Sequence, residues 1–85
     1  MPEVLIGKIT HYFAKVSVGI VQLTDGELAV GDTIHIVGHS TDHTQPVPSL
    51  QIEHQDVPKI VKGQSAGMKV GVRVHEHDAV YKVTA

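Results

Sequence analysis

The sequence predicts a small all-β domain, a barrel of six or seven short strands. Three observations predict it. Of the 85 residues, 14 are valine and 7 isoleucine, against 4 leucines and 1 phenylalanine. Such β-branched side chains favour the pleated, half-buried surface of a sheet over a helix. Apolar residues recur at two-residue spacing in several short runs, and none sustains the three-and-four spacing of a helix. Glycine, aspartate and proline punctuate the intervals as turn signals. Closure into a barrel would remove the exposed edges that so small a sheet otherwise presents.

The elements follow in order. VLIGKITHYFAKVSVGIVQL, residues 4–23, reads as one or two strands. Val16, Val18 and Ile20 share one parity while Val21 and Leu23 take the other, a change of phase beside Gly19 that a β-bulge or sharp bend would produce. Asp25-Gly26 and Gly31-Asp32 mark turns around the short piece ELAV. In TIHIVG, Ile34 and Ile36 are expected in the core and His35 on the outside. Residues 38–49, GHSTDHTQPVPS, read as an irregular loop, with Pro46 and Pro48 unable to donate ladder hydrogen bonds. Leu50, Ile52 and His54 then share a face, which predicts a half-buried His54 at a strand end. Residues 56–64 form a connection, Met68, Val70, Val72 and Val74 form a strand, and HEHD turns into a closing strand, AVYKV.

Length allows one domain, residues 1–85, and excludes a nucleotide-binding core with a second module. With no cysteine there are neither disulfides nor thiolate metal sites. No apolar run reaches the roughly 18–20 residues of a membrane helix, and no membrane partner is expected. MPEVLIGK lacks the basic-then-apolar pattern of an export signal, so the cytoplasm is the expected compartment. The net charge of −2 is uneven. Residues 1–56 carry −5, two lysines against seven carboxylates, and residues 57–85 carry +3, five cations against two carboxylates. The basic part could face phosphate-bearing partners, or its lysines could simply keep strand edges solvated.

Gly26, Leu28, Gly31, Asp32, Ile34, Ile36 and Gly38 fit the pattern G-x-L-x-x-G-D-x-I-x-I-x-G. This resembles the β-barrel second domain of translational GTPases, such as elongation factor Tu and initiation factor two. LQIEHQDVPKIVKGQSAGMKV, with Gly63, Gly67, Met68 and Val70, is similar to the second half of that barrel. The whole chain looks most like small stand-alone elongation-factor-like proteins. A comparable barrel also sits at the end of collagenase-like peptidases, as an accessory unit. Two positions depart from the translation-factor pattern: Gly19 precedes Ile20 rather than arginine, and Gly63 precedes Gln64 rather than aspartate. The absence of GxxxxGK[ST] excludes GTP binding of the P-loop kind.

The resemblance implies a non-catalytic, translation-related binding module whose partner is RNA or a ribonucleoprotein. Lys59, Lys62, Lys69 and Arg73 are the candidate nucleic-acid surface. The alternative is a protein-interaction adaptor or detached accessory barrel, with a protein partner. A third reading is a metal-binding protein using some of the seven histidines, with His75 and His77 leaving one face if their segment is extended. No cofactor is expected. The serines lack a nucleophile-elbow context and an 85-residue barrel leaves little room for a substrate pocket, so no enzyme is expected. Protonation of all seven histidines would move the formal charge from −2 to +5. Electrophoretic mobility should accordingly reverse sign between pH 7 and pH 5, and a mobility that kept its sign would refute this.

Overall fold

The structure, a computed structural model, describes residues 3–84. Among them are ten strands and no helix. The strands are β1 (Glu3–Phe13), β2 (Val18–Leu23), β3 (Glu27–Ala29), β4 (Thr33–Val37), β5 (Asp42–Pro46), β6 (Gln51–Ile52), β7 (Gln55–Asp56), β8 (Lys59–Val61), β9 (Ser65–Lys69) and β10 (Ala79–Val83). Eight form one antiparallel sheet in the order β5-β4-β10-β1-β2-β9-β6-β7, and β3 pairs with β8 in a second. One side of the large sheet supplies Ile6, Ile9, Val21, Leu23, Ile34, Ile36, Ala66, Met68 and Val80 to a single buried cluster, joined by Leu28 and Ile60 of the small sheet and by Val47, Leu50, Val70 and Val74 of the connections. Burial of this apolar surface is what the chain has in place of disulfides.

The large sheet does not close into a ladder-bonded barrel; β5 and β7 are its edges. It does bend far enough to bring β5 against the chain leaving β9, although four strands separate them in the sheet. There the carboxamide of Gln45 does the work of a peptide group. Its Nε2 donates to the Lys69 carbonyl at 3.0 Å, and its Oε1 accepts from the Gly71 amide at 2.9 Å. His43 Nε2 lies 3.0 Å from the same oxygen. A side chain thus seals a seam that no ladder bonds cross.

Several expectations are corrected. The strands number ten rather than six or seven, because short pairings such as β6–β7 and β3–β8 are separate elements. The bulges lie in β1, between Leu5 and Gly7 and between Ile9 and His11, and not beside Gly19. At Gly7 a Cβ would run into the Gln22 carbonyl, so the close approach of β2 requires glycine there. The supposed loop 38–49 contains β5, whose polar residues suit an edge, with Pro46 closing it. The strand expected through Val74 stops at Lys69, since Val70 N donates to Ser17 O and Gly71 N to Gln45. His54 is exposed, in a turn.

The turn signals act as such. Gly26 and Gly31 have φ of 65° and 96°, and Asp32 Oδ2 accepts from the Ala29 amide at 2.9 Å. At Gly38 a Cβ would overlap the buried Asp78 carboxylate, which also accepts from the His75 amide.

Across the outer face, His35 ties three strands together. Its Nδ1 lies 2.8 Å from Glu3 Oε2 on β1, and its Nε2 lies 2.5 Å from Asp42 Oδ1 on β5. The Tyr81 ring of the intervening β10 sits 6.5 Å away. The hydrogen bond to Asp42, then that to Glu3, holds the imidazole pKa above its ordinary 6.5 against a smaller desolvation effect.

Two outcomes are expected. Gln45→Ala should cost about 1–2 kcal/mol in denaturant unfolding, for two net hydrogen bonds, with faster amide exchange along β5; unchanged exchange would remove the seam. For His35 the folded pKa is the higher one, so its stabilisation is complete below pH 6.5 and is lost as pH rises through the folded value. The stability difference between the native chain and His35→Gln should shrink over that window, and a difference independent of pH would refute the clamp.

Candidate functional site

The outer face of an antiparallel sheet is ordinarily polar. Along β2 it is not. Gly19, Val21 and Leu23 point to the core or pack beneath it, and yet the alternate residues Val18 and Ile20 are aliphatic and half-buried. Together with Phe13, 51 % exposed, and Val16, 56 % exposed, they line an open groove of about 620 Å³. The cross-strand register explains its floor. Ile20 pairs with Gly67 and Gly67 with Gln51, so the middle position of that row has no side chain. The β6–β9 ladder consists of that one pair, and the groove opens where the two strands part.

Two turns form the walls. The turn after β1 carries Lys15 and Val16 and ends at Ser17, whose φ is 56° and whose carbonyl accepts from Val70 N at 2.9 Å. The turn between β6 and β7 has only two central residues, Glu53 and His54, with φ of 51° and 65°. A hairpin of that shape favours Asn-Gly, because left-handed backbone costs a side-chain-bearing residue about 1–2 kcal/mol. Gln51 Nε2, donating to Asp56 Oδ1 at 2.9 Å, braces the hairpin. Strain kept in place this way is a pointer to function at the groove rim. Among the described residues, no ion pair engages Lys15, Glu53 or His54.

The residues singled out from sequence lie elsewhere. Lys59 is on β8, ion-paired with Glu27 at 3.5 Å, and Lys62 is exposed just after that strand. Lys69 ends β9, and Arg73 is exposed in the connection to β10. His75 and His77 sit in a turn rather than a strand, with His77 at φ 71°, so strand alternation does not place them on one face. No group of three or more His, Cys, Asp or Glu among the described residues could hold a metal ion. At His35 the two carboxylates approach opposite ring nitrogens and so cannot converge on one ion.

One cluster looks nucleophilic on paper. Thr41 Oγ1 lies 3.1 Å from His75 Nδ1, and Asp78 Oδ2 lies 3.8 Å from the same nitrogen. A relay needs the carboxylate on the other nitrogen, and the Thr41 residue is only 5 % exposed. The cluster fixes a turn. Sequence reasoning missed the groove, and the signal that could have revealed it was the two-parity apolar pattern of residues 16–23.

No family model matches the chain. Over 80 residues, 93 % of the chain, it is 39 % identical to an uncharacterised protease of Methanocaldococcus jannaschii. Over 81 residues, 94 % of the chain, it is 33 % identical to a collagenase of Porphyromonas gingivalis. The chain spans about a fifth of each of these relatives, 19 % and 20 %. In structure it matches the C-terminal domain of a Geobacillus thermoleovorans protein named as a U32 peptidase. The TM-score is 0.86, with 94 % of this chain and 92 % of that one covered at 17 % identity.

These findings overturn the likeness to elongation-factor-like proteins, and with it the translation and RNA-binding role that the likeness implied. They equally overturn the expectation of a non-catalytic module and no enzyme, since the relatives are named protease and collagenase. The physical reason is plain in the turns: G-x-L-x-x-G-D-x-I-x-I-x-G encodes two left-handed glycines, an aspartate cap and a glycine beneath Asp78. Those requirements belong to a sheet corner, whatever the protein does. The chain has the fold of a U32 peptidase C-terminal domain, and its sequence aligns with a stretch of proteins named for proteolysis.

Proposed function

We propose that this chain acts in peptide-bond hydrolysis as part of a U32-type peptidase, where it holds polypeptide. The supporting observation is the alignment of 93 % of the chain, at 39 % identity, with a stretch of a protein named a protease. The site geometry is consistent with that role. An open apolar groove with a charged group on each wall suits a chain molecule bearing both apolar side chains and polar backbone. The buried Thr41 hydroxyl offers no accessible nucleophile, so the part ascribed to these residues is positioning of the polypeptide.

The test is a proteolysis assay on fluorescent casein and gelatin. The chain is added alone, and also to a U32-type peptidase from which the matching C-terminal domain has been deleted. Added to the truncated peptidase, the chain should speed cleavage severalfold over the truncated enzyme by itself, and an unchanged rate in that arm would overturn the reading.

A further inference from the structure

We propose that the groove over Gly67 binds a short, extended polypeptide segment with an apolar centre, and that Gly67 determines what the groove admits. The proposal rests on the reading of the chain as a polypeptide-handling domain, and adds the place and chemistry of the contact.

The glycine is the key observation. Gly7 and Gly38 are required by the fold, since an added Cβ would strike the Gln22 carbonyl or the Asp78 carboxylate. Gly26, Gly31 and Gly63 have positive φ. Gly67 has neither constraint. A Cβ there would meet Val18 Cγ1 at 3.2 Å, Ile20 Cδ1 at 3.6 Å and the Gln51 carbonyl at 3.9 Å. The nearest of these is a side-chain methyl of Val18 rather than backbone, and a shift of a few tenths of an ångström would clear it. Glycine in a strand interior loses more backbone entropy on folding than alanine does. The fold would therefore accept alanine, and what glycine supplies at this position is the depth of the groove.

Three further observations converge on the same place. Val18 and Ile20 turn aliphatic surface outward beside it, against the polar habit of such a face. Phe13 and Val16 extend that surface while largely exposed. The rim turn keeps Glu53 and His54 in left-handed conformations that Asn-Gly would adopt without strain.

Charge selects the occupant. Lys15 stands on one wall and Glu53 on the other, and no ion pair among the described residues neutralises either. A ligand with an apolar centre and both signs of charge complements this pair; an anionic lipid surface would meet Glu53 unfavourably. A polypeptide also brings the backbone donors and acceptors that Gln51 and the polar rim can engage.

The experiment follows backbone amide shifts of the 85-residue chain during titration with a capped pentapeptide: glutamate, three aliphatic residues, then lysine. Shifts should be confined to residues 13–20, 51–54 and 67. Gly67→Ala should keep or raise the melting temperature and weaken binding at least tenfold. Phe13→Ser, an exposed change outside the core, should also weaken binding without loss of fold. Lys15→Glu should weaken binding of this peptide and recover affinity for one that carries lysine at both ends.

Shifts elsewhere, no shifts at all, or undiminished binding by Gly67→Ala and Phe13→Ser would overturn the proposal. So would groove shifts that depend on protein concentration without peptide, which would make a second copy the occupant. Stimulation of proteolysis without groove shifts would sink the groove and spare the proteolytic reading. Peptide binding without any effect on proteolysis would do the reverse.

Discussion

The structure depends on one demand: a chain without disulfides must wrap one large sheet, with a two-stranded one across it, around a single small core. Wrapping brings together two stretches of backbone that are not ladder partners, and their polar groups must be answered. Gln45 answers them with a carboxamide, which carries the same donor and acceptor as a peptide unit. The β4–β5 ladder sets β5 and places Asp42 for His35, and Gln45 ties that edge to the chain leaving β9. A polar side chain on an edge strand therefore does more for the architecture here than its exposure suggests.

Much of the fold was legible because the residues that specify it act locally. Ile34 and Ile36 alternate with His35 and are fully buried, as strand periodicity requires. Asp25-Gly26 and Gly31-Asp32 are turns for reasons that a dipeptide already contains. The seam was illegible for the opposite reason. Nothing local to Gln45 announces a partner 24 residues away. The stretch 38–49 looked irregular because edge strands carry the polar residues and prolines that loops do.

The groove was half legible. Residues 16–23 show apolar side chains at both parities, and one physical account of that pattern is a bulge. The structure supplies the other account: a regular strand apolar on both faces, one turned to the core and one to the groove. The two accounts differ only in what lies above the sheet, which a sequence does not state. The turn motif misled in a complementary way. It describes a corner of backbone and carries no chemistry of its own, whereas 93 % of the chain aligns with a stretch of a protein named a protease.

The pairing of Glu3 with Val83 places the start of β1 beside the end of β10. Tension applied at those two residues would load the β1–β10 hydrogen bonds one after another, as a zipper opens, rather than all at once in shear. Such a join yields at low force. Glu3 also meets His35 at that end of the zipper, so the proton on one imidazole bears on the first step of opening. Mechanical compliance of the domain is thereby coupled to the acidity of its surroundings.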